Sequence, residues 1–288
     1  MNNFTSSRLL LIRVAACILA ALAAQPMHAQ STQPATTGQS YLGFDSNEYP
    51  GDENLAELRK TFAFVGYWLT PPPATKTNPW QGKREAVAAH GFGFLVLFNG
   101  RIEAELKQVP SPRALGEKDA LDAAYAAWLD GFKPGTVIFL DQEEGGRLLD
   151  VQMQYVQAWI AEIVKRGFSP GVYCSGIAVK DGKEMITTAG DIRAHANGAM
   201  VKFFVYNDAC PPSPGCAYRA PSLAESGTAF ADVWQFAQSP RRKEYTARCA
   251  TTYGKDGNCH PSPGASATIS GALLDLDSAT SPDPSHGR

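Results

Sequence analysis

The sequence lacks an excess of positive charge. Its 288 residues include 26 Lys and Arg against 28 Asp and Glu, and the formal net charge is −2 at pH 7. A nucleic-acid-binding protein usually carries a basic patch or stripe along one face. The one tight basic cluster, at residues 241–243, fits a solvated loop. We therefore expect no nucleic-acid partner.

An apolar run long enough to span a membrane, which takes ~20 residues, is also missing. The apolar stretch at residues 14–24 is rich in alanine, follows two arginines and precedes a plausible cleavage site after Ala29. This order is typical of a cleaved export signal. We predict a signal peptide at residues 1–29, a flexible leader at residues 30–40, and a secreted or periplasmic protein with no stable membrane span after signal removal.

Two alternatives to simple secretion stay open. Residues 14–24 could form a buried or anchoring helix. Residues 14–17 also resemble a bacterial lipoprotein cleavage box, but Cys17 lies inside the apolar run rather than after it. Lipidation therefore ranks below secretion.

The paired C-x2-C spacing that is common in zinc sites is absent. Five cysteines follow the predicted signal, and four of them bracket short loops as the pairs Cys210–Cys216 and Cys249–Cys259. An oxidising compartment favours two local disulfides in these pairs, although the sequence leaves other connectivities open. A zinc site that includes His260 is the competing interpretation. The fifth, Cys174, is predicted to be a buried strand residue.

Motifs of dinucleotide binding and serine hydrolysis are missing as well. No G-x-G-x-x-G follows the first apolar run, and no G-x-S-x-G occurs. The chain does contain eight apolar runs of strand length, several of them continuous, as in strands buried on both faces. These predicted strands lie at residues 42–45, 62–68, 92–98, 137–141, 169–173, 201–206, 232–236 and 273–277.

Helical patterns fall between the runs. One predicted apolar helix face consists of Leu121, Ala124, Tyr125, Trp128 and Leu129, and another of Val156, Trp159, Ile160 and Ile163. Alternating strands and helices imply parallel pairing through crossover helices. We predict an α/β fold, a single-domain (β/α)8 TIM-type barrel over residues 41–279, followed by a disordered tail at residues 280–288. A doubly wound open sheet is the alternative.

Carboxylates close three of the predicted strands. Asp45 follows the first, Asp141 and Glu143 a middle one, and Asp275 and Asp277 the last. An unpaired carboxylate is costly to bury, so each needs a partner, water or a chemical role. Because the strand C-termini of a parallel barrel share the active-site face, we expect these acids to meet there, with Asp45 beside Asp275. Capping of the next helix is the alternative for any one of them.

Paired carboxyl groups suit glycoside cleavage, which needs a protonated donor and an ionised partner. Residues two apart in an extended segment face the same way, so Asp141 and Glu143 would share a cleft, whereas Glu144 would point away. An ionised Asp141 would keep Glu143 protonated, as a general acid requires.

Aromatic and polar side chains at strand ends could bind the sugar. The predicted substrate-binding residues are Trp68, Tyr173, Tyr206, Trp234, Gln235 and Asp277. Core packing is the alternative for each aromatic, and it is preferred for Trp128 and Trp159 on the helix faces.

Five short segments carry a resemblance to a known family. They are residues 43–47, 140–143, 170–175, 233–236 and 271–277. In their order and spacing, the chain resembles the bacterial glycoside-hydrolase-like domain of unknown function found in secreted proteins. That domain is related to the family 25 glycoside hydrolases, the Chalaropsis-type lysozymes. The chain departs from these lysozymes at Asp277, where they more often carry Asn, and at residues 203–207, where they usually carry Trp.

The resemblance implies a β/α barrel that cleaves N-acetylmuramoyl linkages in cell-wall glycan. It implies that Glu143 is the general acid, with Asp45, Asp141 and Asp275 as acidic companions that hold its proton and orient water or the N-acetyl group. The expected partner is cell-wall glycan or another polysaccharide. We expect no cofactor and no metal.

Two other functions stay open. The first is a non-catalytic glycan-binding barrel that keeps the acidic cleft for recognition. The second is a metal-assisted hydrolase, although His90 and His195 do not lie near the acids in sequence.

Overall fold

The structure, a computed structural model, describes residues 39–208, 218–238 and 274–288. Within these ranges eight strands close into a barrel, and a separate two-stranded hairpin is formed by β6 (Val179–Asp181) and β7 (Glu184–Ile186). The barrel strands are β1 (Tyr41–Asp45), β2 (Phe64–Trp68), β3 (Gly93–Asn99), β4 (Val137–Asp141), β5 (Ser169–Ser175), β8 (Lys202–Tyr206), β9 (Val233–Ala237) and β10 (Asp275–Ala279).

The order around the barrel is β1, β10, β9, β8, β5, β4, β3 and β2. The predicted closed eight-stranded barrel is confirmed, but its sheet is mixed. Strand β10 runs antiparallel to both β1 and β9, and the other pairs are parallel. Asp275 therefore begins the last strand instead of lying near its end. Because the strand is reversed, its beginning lies at the C-terminal face of the others, where Asp275 is paired in register with Asp45.

The strands form where the sequence is continuously apolar. All five residues of β2 and of β4 are buried, because each strand has the barrel interior on one side and covering segments on the other. Cys174 is buried in β5, as predicted.

The helices are α1 (Leu55–Leu58), α2 (Arg84–Ala89), α3 (Glu103–Leu106), α4 (Pro112–Leu129), α5 (Asp150–Lys165) and α6 (Thr188–Ala194). Short 3-10 turns lie at Asp52–Asn54 and Leu223–Ser226. Ser111 caps α4 by accepting a hydrogen bond from the Ala114 N–H, and Pro112 occupies the first turn. None of the helices in the described part of the chain is both long enough and apolar enough to cross a membrane.

Helices α4 and α5 pack closely against each other. A Cβ at Gly116 would lie 2.4 Å from the Tyr155 carbonyl oxygen, so this crossing admits only glycine. The predicted buried face of α5 is confirmed. For α4 the prediction is wrong: Leu121, Tyr125 and Leu129 are exposed, Trp128 is 64% exposed, and only Ala124 of that set is buried.

Small residues explain the difference in α4. Its buried face is made of Gly116, Asp119, Ala120, Ala123, Ala124 and Ala127. Short side chains allow the helix axes to approach, and the larger apolar side chains then lie on the outer face. Core packing of Trp128 is therefore wrong, whereas Trp159 is fully buried as expected.

The predicted disordered tail is also wrong, because residues 280–288 fold against the N-terminal end of the barrel. Ser285 donates its N–H to the Phe94 carbonyl and accepts from the Val137 N–H, each at 2.8 Å. Its Oγ accepts from the Val96 N–H at 2.8 Å. The tail thus pairs with backbone groups at the starts of β3 and β4, which are free because β3 and β4 pair only from Val96 onward.

Several predictions lie outside the described residues. They are the signal peptide, most of the leader, and both disulfides, Cys210–Cys216 and Cys249–Cys259.

Candidate active site

A central pocket of about 100 Å³ opens at the C-terminal face of the parallel strands. The four acids predicted to be catalytic, Asp45, Asp141, Glu143 and Asp275, all line it. Asp45 ends β1, Asp141 ends β4, and Asp275 begins the reversed β10. Three distant segments thus bring their carboxyl groups to one place.

One amide joins two of these acids. Gln235 on β9 donates from Nε2 to Asp45 Oδ2 at 2.8 Å and to Asp275 Oδ2 at 3.2 Å. Its Oε1 accepts from the Tyr173 hydroxyl on β5 at 2.8 Å. The hydroxyl therefore orients the amide, and the amide holds Asp45 and Asp275 together at the pocket wall.

Glycine makes room for Asp45. A Cβ at Gly66 on the neighbouring β2 would lie 2.4 Å from the Asp45 Cβ, so no larger residue fits beside it. Burial raises the pKa of Asp45 from 3.8 to about 6, although the hydrogen bond from Gln235 opposes the rise.

Asp277 lies below Asp45, one inward-facing position deeper in the barrel. It is fully buried, and within the described ranges the Asp45 carboxyl is the one group in place to hydrogen-bond with it. Burial and the nearby Asp45 and Asp275 carboxylates raise its pKa well above the usual range. The neutral form, which can direct its proton toward Asp45, is therefore favoured.

Asp141 and Glu143 differ in exposure. Asp141 is buried, and its pKa is raised well above the usual range by burial, Glu143 and Asp45. Glu143 remains accessible, and partial burial and the adjacent Glu144 raise its pKa. The expectation that an ionised Asp141 keeps Glu143 protonated is not supported by this burial, because Asp141 is itself the more strongly desolvated acid.

Glu144 points away from the pocket, as predicted. Its Oε2 accepts from the Glu103 N–H at 2.7 Å and from the Gln152 side-chain amide. These bonds give it a structural role at the start of α3.

A larger side groove of about 610 Å³ joins the central pocket. Pro73, Asp141 and Glu143 line both cavities. The groove runs between the loop after β2 and the end of β3. Asn99, the last residue of β3, and Arg101, two residues further on, line it. Sequence reasoning missed these two residues because it searched the strand ends for acids and for aromatic side chains with their neighbours. The same rule applied to any polar residue after a buried strand would have found them.

The predicted sugar-binding residues divide into two groups. Trp68, Tyr173 and Gln235 line the central pocket. Trp234, Tyr206 and Asp277 line neither the pocket nor the groove.

Trp234 is buried on the opposite face of its strand from Gln235, since neighbouring residues of a strand alternate in direction. Its Nε1 donates to the Asn207 carbonyl at 2.8 Å, and its ring packs near Phe236. Trp234 thus belongs to the core, and the sequence prediction of sugar contact is wrong for it.

Comparison with known proteins agrees with the resemblance seen in the sequence. The model of a family described as Rv2525c-like, glycoside hydrolase-like domain matches residues 59–202, half of the chain. No curated protein matches the chain.

The first two of the following solved structures share the fold. An uncharacterized protein of B. stearothermophilus has a TM-score of 0.52 at 18% identity, over 82% of this chain and 94% of that one. The Tat-secreted protein Rv2525c of Mycobacterium tuberculosis, in complex with HEPES, has a TM-score of 0.50 at 11% identity, over 88% and 98%. A lysozyme from Streptomyces coelicolor has a TM-score of 0.42 at 13% identity, over 84% and 92%.

Proposed function

Because the chain belongs to the Rv2525c-like, glycoside hydrolase-like family, we propose that it is an exported glycoside hydrolase acting on peptidoglycan or a related polysaccharide. The observation that carries this proposal is the meeting of Asp45, Asp141, Glu143 and Asp275 in one pocket. Glycoside cleavage needs carboxyl groups of different proton affinity at one place. Export rests on the sequence pattern of residues 1–29.

Glu143 is the proposed general acid. It lines both the central pocket and the side groove, so it could reach an oxygen that joins a sugar in one cavity to a sugar in the other. Its raised pKa favours the protonated form that a leaving oxygen requires.

Asp45 and Asp275 supply the negative charge. When ionised, the pair held by Gln235 stabilises positive charge that develops on the sugar, or orients the attacking water. Asp141, favoured in its neutral form by burial, is suited to hydrogen-bonding an N-acetyl group or a hydroxyl. Trp68, Tyr173 and Phe204 form the aromatic part of the pocket.

A glycan-binding protein without catalysis is the second candidate. The central pocket, at about 100 Å³, is smaller than the roughly 300–1,000 Å³ of typical ligand sites. A sugar that occupied only the side groove would be bound without being cleaved.

Replacement of Glu143 by glutamine distinguishes the two candidates. Glu143→Gln removes the donated proton and keeps the shape, so release of reducing ends from cell-wall glycan should fall by about 100-fold or more. Binding of the same glycan, measured in parallel, should persist. The matched control is Glu117→Gln, an exposed position on α4, which should release reducing ends like the wild type. A wild type that binds glycans but releases no reducing ends would support the binding candidate.

A further inference from the structure

The walls of both cavities are strongly acidic. Besides the four acids of the central pocket, Glu105 and Asp122 line the side groove. Among the described residues that line either cavity, Arg101 is the one with a cationic side chain. An anionic ligand would therefore be repelled by most of this surface and attracted at one point.

Buried groups hold Arg101 in place. Its Nε donates to Asp119 Oδ2 at 2.7 Å, and its Nη2 donates to Asp119 Oδ1 at 3.1 Å. Asp119 lies on α4 and is fully buried, and the Tyr155 hydroxyl on α5 donates to its Oδ2 at 2.9 Å. The close crossing at Gly116 brings Tyr155 to this position. The guanidinium is thus fixed by two helices before any ligand arrives.

Part of the guanidinium stays available. A guanidinium has five N–H groups, and Asp119 takes two of them. The Nη1 atom lies 3.6 Å from Glu105 Oε1, and this exposed pair is weak. The Arg101 side chain is 36% exposed, and it borders the groove.

We propose that Arg101 is a specificity-determining residue that binds a carboxylate carried by the sugar in the side groove. This inference rests on the proposed function and deepens it: the substrate is an anionic glycan, and its charged substituent lies on the groove side of Glu143. An oriented guanidinium suits a carboxylate because it can donate two parallel hydrogen bonds. The carboxylate could belong to a lactyl ether, as in N-acetylmuramic acid, or to a uronic acid.

The first measurement compares ligands on the wild-type protein. The probes are a disaccharide of N-acetylglucosamine and N-acetylmuramic acid with a free carboxyl group, the methyl ester of that disaccharide, and a short oligouronate. Titration calorimetry should show that the free acid binds about tenfold more tightly than the ester. Tight binding of the oligouronate instead of the disaccharide would assign the site to uronic acids.

The second measurement removes the cation. Arg101→Gln alone would leave Asp119 buried without its partner, which is strongly destabilising. The double variant Arg101→Gln/Asp119→Asn removes both charges and keeps similar volumes. It should bind acid and ester with equal affinity. Lys133→Gln, an exposed change in the loop that precedes β4 at the opposite end of the barrel, is the matched control and should keep the wild-type preference.

The outcomes separate this inference from the function on which it rests. Two results would contradict the role of Arg101 and leave the proposed function untouched. One is equal binding of the acid and the ester by the wild type, and the other is a preference for the acid that survives in the double variant. Failure of the wild type to bind any of the three glycans contradicts the proposed function, and the role of Arg101 with it.

Discussion

Two aspartates at opposite ends of the barrel differ in their burial and in their hydrogen bonding. At the N-terminal end, Asp283 accepts hydrogen bonds from the backbone N–H groups of Phe94, Gly287 and Arg288, at 2.8, 3.1 and 3.2 Å. At the C-terminal end, Asp277 is fully buried, and in the part of the chain that the structure describes only the Asp45 carboxyl is in place to hydrogen-bond with it. The first arrangement stabilises the fold, and the second costs stability.

This difference indicates that the N-terminal end of the barrel serves stability and the C-terminal end serves function. Groups that are buried with raised pKa values cluster at functional sites, and in TIM-type barrels such sites lie at the C-terminal face. Asp45, Asp141 and Asp277 fit this pattern. The same substitution, Asp to Asn, should therefore have different consequences at the two ends, and three variants test this.

Of these three variants, Asp45→Asn should have the largest effect on activity. Asparagine keeps the shape but cannot carry the charge that the sugar-cleaving step requires, so glycan cleavage should fall by about 100-fold. The free energy of unfolding at neutral pH should not decrease, because a desolvated carboxylate is removed. Reducing-end release and chemical denaturation measure the two quantities.

The pH dependence of stability sharpens this prediction. The folded protein holds the Asp45 proton up to a pH of about 6, whereas the unfolded chain releases it near 3.8. The Asp45 contribution to stability should therefore fall by about 2–3 kcal/mol as the pH rises from 4 to 6. Asp45→Asn should remove this part of the slope, and an unchanged slope would show that Asp45 titrates normally.

Asp283→Asn should act on stability instead. An amide offers one acceptor oxygen where the carboxylate offers two, so one of the three backbone N–H bonds is lost. We expect the free energy of unfolding to decrease by about 1–2 kcal/mol while glycan cleavage stays near the wild-type rate. A loss of activity without a loss of stability would contradict the claim that the N-terminal end serves stability and the C-terminal end serves function.

Asp277→Asn should have the smallest effect. Because Asp277 is favoured in its neutral form, a neutral isostere changes little, and cleavage should stay within about threefold of the wild type. A large loss of activity in this variant would show that Asp277 works as an anion.

Much of the fold could be predicted from the sequence because buried strands are continuous apolar runs. The predicted range 137–141 coincides with β4, and the positions of Asp141 at its end and Glu143 just after it predict that both reach the pocket. The direction of β10 could not be predicted, because an apolar run reads the same in either direction. Its reversal nevertheless leaves Asp275 beside Asp45.

Other features depended on contacts that periodicity does not encode. The buried face of α4 follows from the close approach at Gly116, which a search for large apolar residues cannot detect. The tail has the composition of a loose terminus, yet Asp283 and Ser285 supply the hydrogen bonds that the starts of β3 and β4 need. Arg101 lies two residues after the end of β3, but a search of the strand ends for acids and aromatic residues does not detect a cationic side chain.

The most direct test of the central claim, that the converging acids form a glycan-cleaving site with Glu143 as the acid, is the release of reducing ends across pH 4–8. The wild type should lose activity toward the alkaline end of this range, because Glu143 gives up the proton that the leaving oxygen requires. Glu143→Gln should stay near background throughout. Release by Glu143→Gln at the wild-type rate would contradict the account.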